Sequence, residues 1–234
     1  MLLSAQNIDE LRERLPGLDV VVPAHPAPRG NTPELYSITR LLATIPLGNT
    51  DFPLHLSKSE RPDFVLQLGS RSIGVEHTEA VAENIAHERK IRASMPSHRF
   101  HLIRPATVTE PRMSRNDIEA QISKNRMPAP MMGDSVERNW AEAMAHFIGK
   151  KALSAQKPGY AVHDEQWLMI YDNWQAFALE RQHALLLLQE RLALLVPFSV
   201  FSRVFILTGK VLIDLSADSM LIHRQMSRRP VARA

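Results

Sequence analysis

The sequence predicts an α/β fold with helices flanking a central sheet, and three observations predict it. Phe64, Leu66 and Leu68 alternate with Asp63, Val65 and Gln67, while Ile73 and Val75 alternate with Gly74, Glu76 and Thr78, so both stretches carry the period of two of a strand. Gly69-Ser70-Arg71 stands between them as the turn of a β-hairpin. Secondly, Glu165 to Asp172 is nearly continuous in apolar character, as a strand inside a sheet requires. Thirdly, Leu35, Ile38, Leu41, Leu42 and Ile45, and again Val136, Trp140, Met144, Phe147 and Ile148, recur at helical spacing.

Taken in order, Ile8 to Leu15 reads as a short amphipathic helix, and Val20 to Asn31, rich in proline and glycine, reads as a linker. Thr32 caps the next helix, with Pro33 in its first turn. After the hairpin a polar helix is expected from Ala80 to Ser94, with Glu79 at its start. Arg99 to Ile103 is read as a third strand, and Pro105 to Gly133 as mostly irregular, with a helical pattern at Asp117 to Lys124. Asp134-Ser135 caps a helix from Val136 to Ala155. The strand at Glu165 breaks at Asn173 and Trp174, and a helix from Ala176 to Leu195 follows, ended by Pro197. Arg203 to Leu207 turns at Thr208-Gly209-Lys210 into Val211 to Leu215. This divides the chain into an N-terminal helix and linker (1–31), an α/β domain (32–216) and a basic tail (217–234) that is expected to fray.

With 234 residues, 44% hydrophobic and 23% charged, the chain is long enough for one sizeable core. Cysteine is absent, which excludes disulfides and thiolate metal sites and fits a reducing cytoplasm. No signal peptide is read at the N-terminus and no apolar run reaches the length of a membrane span, so no membrane partner is expected. A net charge of +3 and a pI near 9.4 permit nucleic-acid binding without demanding it. The basic residues cluster at 89–92, 112–124, 150–151 and in the tail, and such clusters are also what a solvated face looks like. His98 and His101 lack a partner at zinc spacing. There is no His-Glu-x-x-His, no Gly-x-Ser-x-Gly and no glycine-rich phosphate loop.

The chemistry is carried by the hairpin. Asp63 opens one arm and Glu76 lies towards the end of the other, so the antiparallel ladder brings their carboxylates together. Two adjacent carboxylates repel unless a cation lies between them, and hard oxygen ligands suit Mg²⁺ or Mn²⁺. His77 falls on the opposite face, with Ile73 and Val75, where packing against a helix is the expected role.

Pro62-Asp63, a hairpin, and Glu76-His77-Thr78 resemble the signature of the PD-(D/E)XK nuclease superfamily: Pro-Asp, a spacer of similar length, then Asp or Glu, any residue, and Lys. The resemblance covers Arg61 to Glu79 and departs at Thr78, which stands where the family has its lysine. It implies a restriction-endonuclease-like core, a mixed sheet flanked by helices, and a divalent-metal-dependent hydrolase of phosphodiester bonds. Asp63 and Glu76 would be metal ligands, with Glu34 on the first helix as an outer acidic ligand and Thr78 beside the metal water. Glu34 is explained equally well by the preference of helix first turns for acidic residues. Continuing the Val136 to Ile148 stripe by three or four residues lands on Lys151, either a lysine that snorkels to solvent or one that replaces the missing motif lysine. Lys150 is the adjacent alternative. The implied partners are DNA ahead of RNA, and a second copy of the chain. Against the nuclease stand two other readings: a nuclease-like fold that binds nucleic acid or protein without catalysis, and an interaction protein with no nucleic-acid role.

Overall fold

In a computed structural model, residues 1–18, 33–94, 104–124, 132–209 and 211–224 are described. The expected linker at 20–31, the strand at 99–103, His98 and His101 lie outside them. The hairpin follows from its alternation. Strand β3 (Phe64–Leu68) pairs antiparallel with β4 (Arg71–Ala80), Phe64 opposite Val75 and Leu68 opposite Arg71, which leaves Gly69 and Ser70 as a two-residue turn. Gly69 has a φ of +57°, and a Cβ there would lie 2.3 Å from the Thr50 carbonyl oxygen, so only glycine fits.

Around this hairpin an eight-stranded mixed sheet is built in chain order. Strands β1 (Leu3–Ala5) and β2 (Leu54–Lys58) extend it on the β3 side, antiparallel throughout. On the other side β5 (Glu165–Asp172) runs parallel to β4 and β6 (Arg203–Thr208) parallel to β5, followed antiparallel by β7 (Val211–Leu215) and β8 (Met220–Arg224). Parallel pairs need long crossovers, and the two here contain helices. Between β4 and β5 lie α3 (Glu83–Ala93), α4 (Arg115–Lys124) and α5 (Ser135–Ala155); between β5 and β6 lies α6 (Arg181–Leu195). The N-terminal half carries α1 (Ile8–Arg14) and α2 (Pro33–Leu42).

Each face of the sheet has its own core. On one, Leu54, Leu56, Phe64, Leu66, Ile73, Val75, Trp167 and Phe205 pack beneath α1 and α2. On the other, Leu168, Ile170, Val204 and Ile206 meet α5 and α6, where Ala141, Ala145 and Ala184 admit close helix approach. Among the described residues no helix is long and apolar enough to cross a membrane.

Several expectations are corrected. Residues 1–18 hold more than the expected helix: β1 is an outer strand of the sheet and α1 packs on its core. Strand β2 was not expected at all. Glu79 and Ala80 do not begin a helix: they continue β4, paired with Tyr171 and Asp172, and α3 starts at Glu83. Asp134 does not cap α5 with its side chain, since its carboxylate is taken by Arg138 one turn on, at 2.7 Å. Helix α6 starts five residues later than expected, where Ala178 has a φ of 58° and Glu180 accepts the backbone N–H groups of Gln182 and His183. The tail read from 217 begins with β8, fixed by pairing to β7 and by His223, whose Nε2 lies 3.5 Å from buried Asp214.

Candidate functional site

The register that pairs Phe64 with Val75 puts Asp63 and Glu76 opposite each other one step on, both directed away from the face occupied by Phe64 and Val75. Asp63 is half-buried, and its Oδ2 accepts the backbone N–H of His77 at 2.7 Å. Glu76 is buried. Its Oε1 accepts from the Lys151 ammonium at 2.6 Å, while Oε2 is shielded from solvent and has no hydrogen-bond partner. Of the two adjacent lysines on α5, Lys151 therefore points to the carboxylates, and Lys150 is exposed. Helical spacing accounts for the choice. Trp140, Met144 and Ile148 are fully buried on the sheet-facing stripe, and Lys151 continues it three residues past Ile148.

Burial raises the Asp63 pKa; the His77 N–H lowers it, the Glu76 charge raises it, the Lys151 charge lowers it and Glu34 raises it. A carboxyl whose folded pKa lies above its unfolded one favours folding below the unfolded value and loses that contribution as pH rises through the folded value. At neutral pH the desolvated Asp63 charge thus weakens the fold in the absence of a cation. Asp63→Asn, which keeps an acceptor for His77, is expected to raise Tm in EDTA by on the order of 2 °C. A lowered Tm in thermal unfolding at pH 7 would contradict this.

The other expected residues fall as follows. Thr78 is half-buried on the Glu76 face, two residues further along β4. Glu34, in the first turn of α2, is ion-paired with Lys58 at the end of β2. Its charge reaches Asp63, but it is not drawn into the pair, and among the described residues no group of three or more His, Asp or Glu side chains is poised to share an ion. His77 lies on the opposite face, buried against α2 with Nε2 3.2 Å from Ser37 Oγ.

Tyr160 was not anticipated. It sits in the connection from α5 to β5, and its phenol faces Glu76; burial, then the Glu76 and Asp63 carboxylates, hold its pKa above the ordinary tyrosine value, with Arg61 opposing. The connection is tied to the hairpin. Ala161 N–H donates to the Arg61 carbonyl at 3.4 Å, Ser72 N–H to Asp164 at 2.7 Å, and Ser72 Oγ lies 2.8 Å from His163 Nδ1. Gly74 marks the contact: a Cβ there would lie 2.3 Å from Gln166 Oε1, 2.8 Å from His163 Cδ2 and 2.9 Å from Pro62 Cγ. The only available signal was Gly74 itself, a glycine inside a strand, which signals close approach of another segment.

The arrangement brings two carboxylates, an ammonium, a phenol and a guanidinium to one end of the hairpin. It can hold a hard cation between oxygen donors and balance an anion nearby. Comparison of the chain with protein-family models, with characterised proteins and with solved structures gives no match.

Proposed function

We propose that the protein is a divalent-metal-dependent nuclease of the restriction-endonuclease-like type, hydrolysing phosphodiester bonds in DNA with Mg²⁺ or Mn²⁺. The observation that carries this reading is the Asp63–Glu76 pair with Lys151 bound to it from a neighbouring helix. The order α2, then β2, β3 and β4 antiparallel, then α5, then β5 parallel to β4, supports it, because helix, three strands, helix, strand is the order of that core.

The donor set fits the ion. Both ligands are carboxylate oxygens, Glu76 Oε2 is buried without a partner, and the remaining positions would fall to water and substrate. The chemistry a bound divalent ion supplies here is polarisation of the phosphate and a lowered pKa for an attacking water. Asp63 and Glu76 would hold it. Lys151, one hydrogen bond from Glu76, would orient the water or neutralise charge developing on the phosphate, the task of the motif lysine that Thr78 replaces. The Thr78 hydroxyl, on the same face, would add a donor to that water.

Calorimetric titration of Mg²⁺ and Mn²⁺ into wild type and Asp63→Ala/Glu76→Ala, followed by a Mn²⁺-dependent cleavage assay on plasmid and single-stranded DNA, tests this. Wild type should bind and cut, with the double variant losing both, the cleavage rate by about a hundredfold or more. Cleavage retained in a clean preparation of the double variant would sink the proposal. A second reading, a nuclease-like fold that grips nucleic acid without cutting it, rests on Thr78 and on the absence of a third acidic ligand among the described residues. DNA binding that survives both EDTA and the double substitution would favour it.

A further inference from the structure

The α5–β5 connection delivers more to the carboxylate pair than one phenol. Arg61, two residues before Asp63, is exposed and forms no ion pair with a described residue, whereas Arg71, Arg92, Arg104 and Arg203 are each held by carboxylates. Its guanidinium lies where a Cβ on Gly159 would be 3.8 Å from Nη1, and its carbonyl accepts the Ala161 N–H. Arg61 thus flanks Tyr160 in space as Gly159 and Ala161 flank it in sequence. The cradle at Gly74 and the Ser72 contacts to His163 and Asp164 fix this loop independently of any ligand.

Resting on the function proposed above, we propose that Arg61, held beside the Tyr160 loop, is the phosphate-binding residue of the site, contacting a non-bridging oxygen of the phosphodiester. A bound divalent ion and Lys151 would offset the two carboxylates, and a phosphodiester drawn to them needs a further donor at the mouth of the site to fix its other non-bridging oxygen. A guanidinium is permanently charged and presents a planar fork of N–H groups suited to phosphate oxygens.

The test is anisotropy binding of a fluorescein-labelled 20-base-pair duplex and its single strand, as a function of salt, with Mn²⁺ calorimetry in parallel. Arg61→Met is expected to weaken binding about tenfold and to reduce the slope of log affinity against log salt by about 0.9 on the duplex, the signature of one lost phosphate contact. Arg61→Lys should keep most of the slope. Mn²⁺ affinity and Tm should stay at wild-type values in both variants. If wild type binds Mn²⁺ and DNA but the variants bind DNA with unchanged affinity and slope, this inference falls and the nuclease reading stands. If wild type binds neither, both fall.

Discussion

Lys151→Met is expected to destabilise the protein by about 3 kcal/mol at pH 7 in EDTA, lowering Tm by about 6–12 °C. The Glu76 side chain is 7% exposed and its Oε2 has no partner, so removing the ammonium leaves a buried carboxylate without its balancing charge. Breaking such a pair costs about 3–5 kcal/mol; Lys151, 25% exposed, places the value near the lower end. Glu76→Gln/Lys151→Met should recover most of the loss, because the charge is removed along with its partner. Saturating Mn²⁺ should raise the Tm of Lys151→Met more than that of wild type, since a cation would replace the missing charge. A loss below about 0.5 kcal/mol would mean that Lys151 is effectively solvated, as a surface pair is. The same variant should lower Mn²⁺-dependent DNA cleavage by about a hundredfold.

The second large effect is acid sensitivity. Burial pushes the His77 pKa down to about 3, with the Lys151 and Lys58 charges adding to the shift. The unfolded chain takes up this proton near the ordinary histidine value of about 6.5 and the folded chain does not, so the contribution of neutral His77 is complete above that pH. It is lost progressively as pH falls from there towards the folded value. By pH 5 the loss amounts to about 2 kcal/mol, or about 4–8 °C in Tm. His77→Gln, which retains an amide towards Ser37, should flatten this dependence between pH 7 and 5. An unaltered slope in thermal unfolding across that range would show that His77 is protonated in the native state or that other groups dominate.

Much of the carboxylate site was legible because it is built from local periodicities. Alternation marks the two arms and their faces; the turn was read as Gly69-Ser70-Arg71, whereas Arg71 pairs with Leu68, and it is that two-residue turn that opposes Asp63 to Glu76. The helical stripe from Val136 to Ile148 selects the face that Lys151 joins, and alternation in β4 assigns His77 to the α2 side. The outer strands β1, β2 and β8 were not legible. They are three to five residues long, and their pairing partners, such as Leu54 with Leu68 or Asp214 with Leu221, decide their state more than their own composition does. Helix α3 was placed three residues early because the parallel ladder with β5, more than ninety positions away, carries β4 on to Ala80.

The sequence by itself determined the hairpin, the opposition of its two carboxylates and the helix face from which a lysine could approach, since each is written in spacings of two, three or four residues. Only the tertiary structure decided that Lys151 meets Glu76, that Glu34 is engaged by Lys58, and that Tyr160 faces Glu76 with Arg61 beside its loop. Those meetings join residues tens of positions apart, and they depend on how helices and loops settle on the sheet, a balance of packing and charge that no local pattern records.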